Sequence, residues 1–253
     1  MSEMKVCLIT IDSVRYDVVP QWFIEKHKLT VCKNARTYYA GTIPSLVSFY
    51  TGVPPPVHGI MSHHTFYKYR LKAESIYDLL HDKVPAYFAS DEWLMYQMPC
   101  LELATKIKME DVPKIFRMNQ PDFFLGIHIF HPTHAPYQSK EVLEKIYEGR
   151  RNYMSHWTDR EFLEFAKKKY LEKVEETFQI VSQFLEKAQF DHYIVSADHG
   201  EAFGEEGLYG HEEMFIEEVL RIPMLIKDGE PKVIEEVVYP SYAFNLIRRW
   251  FDV

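Results

Sequence analysis

The chain alternates short, almost wholly apolar runs with longer stretches of helical period. Residues 5–11, KVCLITI, are apolar or β-branched at nearly every position, which predicts a central strand buried on both faces. DFFLGIHIF (122–130) and HYIVSA (192–197) read the same way, with PAYFA (85–89), IPMLIK (222–227) and KVIEEVV (232–238) as further strands. Between them the period changes to three and four. Leu163, Ala166, Tyr170, Val174, Phe178, Val181 and Leu185 predict one long helix from Thr158, where TDRE offers a capping box, to Ala188. AESIYDLLH (73–81) and SYAFNLIRRWF (241–251) predict two more. Leu46, Val47, Phe49 and Tyr50 predict a helix whose first turn holds Pro44 and Ser45 and which Gly52 stops, placing Thr42 just ahead of it. Strands alternating with helices indicate an α/β sandwich with a mainly parallel sheet. No repeat or linker divides it, so a single domain over residues 1–253 is expected.

Composition narrows the function. Lys and Arg number 29 against 37 Asp and Glu, a formal charge of −8 that argues against nucleic acid as a partner. The one basic run, KKK at 167–169, falls on the long helix among glutamates. Aromatic residues make up 15% of the chain, enough for a large core. No apolar run approaches the roughly 20 residues of a membrane span, and the N-terminus lacks the features of a signal peptide. Three scattered cysteines, Cys7, Cys32 and Cys100, suit a reducing compartment and have no zinc-type spacing. These features together give the expectation of a cytoplasmic protein. The oligomeric state is not legible.

Chemistry gathers where the predicted strands end. Asp12 follows the first strand, Asp198 and His199 follow HYIVSA, His211 lies further along the same loop, and His131 and His134 follow DFFLGIHIF. In parallel sheets, sites collect beyond the carboxyl ends of the strands. Thr42 stands at the mouth of its helix, where unpaired N–H groups and the dipole favour an anion. A threonine hydroxyl needs a base or a metal to become a nucleophile. Two carboxylates and an imidazole make a negative pocket for a divalent cation, with the Thr42 oxygen as a fourth ligand, and mixed Asp/His ligation favours zinc or manganese over calcium.

Four blocks, LITIDSVRYD, TIPSLVSFYTGVPPPVHGI, HAPY and SADHGEAFGEEGLYGHEEMFIEEVLRIPMLI, occur in the order found in the sulfatase branch of the alkaline phosphatase superfamily, which this chain resembles from its first strand to about Ile226. The resemblance implies a three-layer α/β/α sandwich, an alkaline phosphatase-like core without the usual C-terminal subdomain. Three departures are informative. Sulfatases carry Cys or Ser followed by x-Pro-Ser-Arg and convert that first residue to formylglycine, whereas here Thr42 and Leu46 occupy the ends of the motif. Asp12 is followed by Ser13 instead of a second aspartate, and the late motif is Asp-His instead of Asp-Asn.

These departures resemble the phosphoryl-transfer members: phosphodiesterases, phosphonate-ester hydrolases and transferases of phosphoglycerol or phosphoethanolamine. The implied activity is metal-dependent hydrolysis of a small phosphate or phosphonate ester through a phosphothreonine. A phosphotransferase, a sulfuric ester hydrolase without formylglycine and a non-catalytic binding domain are the alternatives. Carried over by residue, Asp12, Thr42, Asp198 and His199 hold one metal ion, with His134 and His211 contacting the transferred group, protonating the leaving group or serving a second metal. A further carboxylate for a full second site is missing, so one ion with two assisting histidines is preferred, and His131 is read as a loop histidine. Arg15 and Asp17 are read equally as a salt bridge beneath the first loop or as substrate contacts; Glu201 is expected to cap or support the site from behind, His58 to be structural and Cys7 to act as a small hydrophobe. Phe66, Tyr67, Tyr69, Trp93, Tyr96, Tyr147, Tyr153 and Trp157 could stack on a base or sugar, serve the core or form an oligomer interface; His63 and His64 are left without a role.

Overall fold

The computed structural model describes residues 4–62, 70–118, 121–151, 159–211 and 214–253. His63, His64, Phe66, Tyr67, Tyr69, Tyr153, Trp157 and Thr158 lie outside them.

Ten strands are present among the described residues: β1 Lys5–Ile11, β2 Thr30–Ala35, β3 Ala86–Ala89, β4 Thr105–Ile107, β5 Phe123–Ile129, β6 His192–Ala197, β7 Ala202–Phe203, β8 Tyr209–Gly210, β9 Met224–Lys227 and β10 Val233–Val238. Eight of them form one sheet in the order β10-β2-β9-β6-β1-β5-β3-β4, and β7 and β8 form a separate ribbon. All pairings in the large sheet are parallel except those of β9, which runs antiparallel to both β2 and β6. The chain leaves β1 toward one edge for β2 and then crosses to the other side for β3, β4 and β5. The crevice beside β1 is therefore the switch point at which open parallel sheets place their ligands.

Alternation along β6 sorts the helices into two layers. His192 stacks on Trp250 of the Pro240–Phe251 helix, while its neighbour Tyr193 meets His27 of the Gln21–His27 helix on the other face. The first layer also holds the Thr42–Thr51 and Ile76–Leu80 helices, and the second holds the long Arg160–Ala188 helix. The three-layer α/β/α sandwich is thus present. The long helix begins at Arg160, and Asp159 is its cap, accepting from the N–H groups of Glu161 and Phe162. All three cysteines are buried free thiols, and burial pushes the Cys7 thiol well above its ordinary value, as suits a packing residue.

The Thr42–Thr51 helix is buried along its whole length, so its serine and threonine hydroxyls need partners. Ser45 Oγ donates to the Tyr39 carbonyl at 2.7 Å, Ser48 Oγ to that of Pro44 at 2.9 Å and Thr51 Oγ1 to that of Val47 at 2.8 Å. Gly52, at φ 71°, ends the helix in a left-handed cap whose N–H returns to Ser48. Thr42 is not ahead of the helix, as the Pro44-Ser45 signal predicts, but is its first residue, with Gly41 as the cap. Its hydroxyl alone among these four is turned away from the backbone.

His58 supports this helix from beneath. Its Nε2 meets Ser48 Oγ at 3.1 Å and its Nδ1 accepts from the Ile60 N–H at 3.1 Å, the structural role expected of it. Next to it in the same layer, Gly126 of β5 faces the hydroxyls of Tyr50 and Tyr77, and a Cβ at this position would collide with both. Gly126→Ala is therefore expected to destabilise the protein by about 1–3 kcal/mol, the usual cost of overpacking a close-packed core. Urea unfolding of the variant beside the native chain measures the loss, and an unchanged midpoint would show that the two tyrosines yield freely.

Candidate metal and phosphoryl-transfer site

Register brings the site together. β1 lies between β6 and β5, with Ile11 opposite Ala197 on one side and Thr10 opposite His128 on the other. Asp12 and Asp198, one residue beyond paired positions, thus emerge side by side, and His128 reaches them from β5. The Asp12 N–H is tied to the Ile129 carbonyl at 2.9 Å. All three side chains are fully or almost fully buried. Thr42 enters from its helix: its hydroxyl donates to Asp12 Oδ2 at 3.2 Å and stands 3.4 Å from His199 Nε2. His199 Nε2 in turn lies 3.4 Å from Asp198 Oδ2, and His128 Nε2 lies 3.5 Å from Asp12 Oδ2.

Hydrogen bonds fix which atoms face the centre. His199 Nδ1 donates to the Gly200 carbonyl at 2.9 Å, which leaves Nε2 as a lone-pair donor. Burial, followed by the nearby His211, holds the His199 imidazole well below its ordinary value and so neutral. Gly200 is required behind it, because a Cβ there would strike the Glu218 backbone carbonyl. Thr10 Oγ1 donates to the Ile127 carbonyl and accepts from His128 Nδ1, both at 3.1 Å, so the Nε2 of a neutral His128 also presents a lone pair.

His128 Nε2 and Asp198 Oδ2 are buried with no hydrogen-bond partner. Buried orphans of this kind are rare, and here they converge: atoms of Asp12, His128 and Asp198 lie within 4.8 Å of one another. Burial and then the charge of Asp12 push the Asp198 carboxyl well above the usual carboxylate range. Burial opposes the Asp12 carboxylate too, but the imidazoles of His128, His134 and His199 outweigh it and hold that carboxyl low. Two buried carboxylates with imidazole lone pairs turned toward them fit a divalent cation. The distances of 3.2–3.5 Å around the centre agree with this, since ligands 2.0–2.1 Å from a tetrahedral zinc are about 3.3 Å apart.

His211 and His134 stand on one side of this cluster. The His211 ring stacks on His199 at 4.1 Å between centroids and meets His134 edge-on at 5.4 Å. His134 stacks on Phe130 at 4.3 Å, and its Nδ1 bonds the Ala135 carbonyl. His211 Nδ1 is held at 2.7 Å by Glu201 Oε2, while Glu201 Oε1 accepts from the Tyr137 hydroxyl at 2.7 Å. Burial lowers the His211 imidazole, but the charge and hydrogen bond of Glu201, with Asp12 and Asp198 beyond, more than reverse this and push it up to about 9. His131 is exposed, and among the described residues its ring meets that of Phe130. Arg15 forks onto Asp17 at 2.9 and 2.8 Å and reaches Glu205 at 2.6 Å, the salt bridge that is one of its two readings. Trp93, Tyr96 and Tyr147 are exposed on the surface, Trp93 packing edge-on against Phe130.

The sequence reading missed His128, Ser13 and Tyr137. Ser13 Oγ donates to Asp12 Oδ1 at 2.6 Å and its N–H to Asp198 Oδ1 at 3.1 Å. The available signal for His128 was a lone polar residue, next to last in an otherwise apolar strand.

No protein-family model matches the sequence, and no curated protein matches it by sequence. Solved structures do match in three dimensions. The C-terminal periplasmic domain of a phosphoethanolamine transferase from Campylobacter jejuni superposes with a TM-score of 0.73 at 15% identity, over 100% of this chain and 90% of that one. A phosphonate monoester hydrolase from Agrobacterium radiobacter gives 0.75 at 13% identity, over 98% and 74%. A 2-O glycosaminoglycan sulfatase gives 0.73 at 11% identity, over 99% and 71%. The chain has the alkaline phosphatase-like fold. This agrees with the family resemblance drawn from the four sequence blocks.

A corresponding transferase domain from Escherichia coli, also periplasmic, matches in a structure with zinc. These neighbours correct the expectation of a cytoplasmic protein, because the transferase domains among them are periplasmic. The sequence argument failed for a physical reason: three buried, separate thiols have no opportunity to pair and so report nothing about redox compartment. Among the described residues no helix is long and apolar enough to cross a membrane.

The raised Asp198 carboxyl gives a metal-free prediction with a definite sign. Above its ordinary value of 3.8 the unfolded chain releases this proton while the folded chain retains it, so that contribution to stability falls as pH rises from there through the raised folded value. Without divalent ions, Asp198→Asn is expected to melt higher than the native chain at neutral pH and to flatten this dependence. Adding zinc is expected to raise the native melting temperature and leave the variant nearly unmoved. Equal zinc responses in thermal melts would contradict a metal role for Asp198.

Proposed function

We propose that the protein is a metal-dependent enzyme acting on small phosphate or phosphonate esters, with Thr42 as the nucleophile. The observation that carries the reading is the Thr42 hydroxyl, which, unlike those of Ser45, Ser48 and Thr51 on the same buried helix, turns from the backbone to Asp12 and His199. Asp12, Thr42, Asp198 and His199 would supply the four donors, with His128 Nε2 standing beside them 3.5 Å from Asp12 Oδ2. Zinc fits this donor set, and the zinc-containing neighbour supports it. When bound, the ion supplies Lewis acidity that lowers the pKa of a coordinated hydroxyl and polarises a phosphoryl oxygen.

The chain's own residues account for the remaining steps. Asp12 Oδ2 accepts the Thr42 proton as Oγ1 attacks phosphorus in line, forming the threonine–phosphorus ester and breaking the bond to the departing alcohol. The N-terminus of the Thr42–Thr51 helix faces the developing negative charge. His211, kept protonated by Glu201, donates to the leaving oxygen, and His134 beside it contacts the transferred group. Water then attacks the same phosphorus, giving its proton to His211, while the bond to Thr42 Oγ1 breaks and Asp12 returns its proton to that oxygen. Replacing water by a second alcohol turns the sequence into a transfer, the reaction named for several of the structural neighbours.

The first test is turnover of nitrophenyl phosphate, bis-nitrophenyl phosphate, a phenylphosphonate ester and nitrophenyl sulfate, each with zinc, manganese, magnesium or calcium. Cleavage of a phosphorus ester that depends on added metal is expected, with Thr42→Ala reducing it by a factor of about 10³ or more. Adding glycerol or ethanolamine and measuring the phosphorylated alcohol separates transfer from hydrolysis. No turnover by metal-loaded protein, or full activity in Thr42→Ala, would overturn the reading. In addition, kcat/KM is expected to fall as pH rises through about 9, where His211 loses its proton, and Glu201→Gln is expected to move that limb down by a unit or more. An unmoved alkaline limb in the pH profile would remove His211 from the acid role.

A further inference from the structure

Ser13 is buried and sits between the two aspartates in left-handed backbone, at φ 58°, a conformation uncommon for residues other than glycine. The conformation is held from outside. The Tyr170 hydroxyl, reaching down from the long helix, donates to the Ser13 carbonyl at 2.9 Å and accepts from the Arg15 N–H at 2.9 Å. This locks the loop so that two Ser13 groups point at two different carboxylates. The side-chain Oγ takes up Asp12 Oδ1 at 2.6 Å. The backbone N–H takes up Asp198 Oδ1 at 3.1 Å, where the His199 N–H joins it at 2.9 Å. Each aspartate is left with one oxygen toward the centre. Asp12 Oδ2 faces Thr42 and His128, and Asp198 Oδ2 faces His199 with no hydrogen bond at all.

We propose that Ser13 is a positioning residue that holds both carboxylates in one-oxygen presentation and thereby makes the site selective for a small, four-coordinate cation over larger ones. The inference rests on the metal-dependent reading above. Calcium gathers six to eight oxygens and commonly takes a carboxylate through both of them, and manganese prefers an octahedral oxygen-rich set. Zinc is satisfied by four ligands, one atom from each. A clamp that turns Oδ1 of both aspartates away therefore removes two of the oxygens a larger ion would use and none that zinc needs. Groups behind metal ligands typically change affinity 10–100-fold when removed.

The test compares zinc, manganese and calcium binding by calorimetry to the native chain, Ser13→Ala and Ser13→Gly, with the visible spectrum of the cobalt-loaded protein as a report on coordination. The glycine variant keeps the left-handed backbone at no steric cost, so a folding failure confined to alanine does not end the experiment. Both variants are expected to bind zinc about 10–100-fold more weakly while manganese and calcium change little, and the intense tetrahedral cobalt band is expected to weaken. Unchanged zinc affinity, or an equal loss for all three ions, would overturn the selectivity role and leave the metal site standing. A native chain that binds none of these ions would overturn the metal-dependent reading itself.

Discussion

Two carboxylates buried side by side set the terms for this molecule. Asp12 and Asp198 end neighbouring parallel strands, and both are fully buried. Such a pair is unfavourable unless protonated or neutralised by a cation, so the fold keeps a place that is costly by itself and useful when filled. The surrounding parts can be understood from that pair. Ser13 turns the oxygens, Gly200 lets His199 approach, and Thr10 orients His128.

The same logic extends outward by hydrogen bonds. Tyr137 holds Glu201, Glu201 holds His211, and His211 lies over His199. Arg15 ties the loop after β1 to the loop after β6 through Glu205 and the Glu201 carbonyl. Tyr170 connects that loop to the long helix, which is capped by Asp159 and packed against the sheet. A site whose geometry must be kept to fractions of an ångström is thus built on strand ends and one buried helix, with the mobile chemistry left to two histidines at its side.

Much of this could be seen in the sequence because it was written in period and position. The apolar runs of β1, β5 and β6 have few polar interruptions, and the polar residues just beyond them had to fall at one end of a parallel sheet. β2 escaped because Lys33 and Asn34 break its pattern, and β4 because three residues carry no period. The antiparallel direction of β9 is set by pairing with two neighbours and leaves no local trace. His128 was hidden in plain view, since its meaning depends on β5 lying beside β1 in one register. Ser13 was legible only as a departure from the family pattern; its double hydrogen bond depends on a left-handed backbone that a tyrosine 157 residues away maintains. Localisation was misread because composition says little about compartment when every thiol is buried.

The central claim is a covalent bond between Thr42 and phosphorus. Zinc-loaded protein mixed with an activated phosphorus ester, quenched in acid within a turnover and digested, allows the peptide containing Thr42 to be weighed. A phosphoryl adduct on Thr42, transient with the native chain and absent from Thr42→Ala, is the expected result. Turnover that proceeds with Thr42 unmodified at every time point, or an adduct on another residue, would contradict the account.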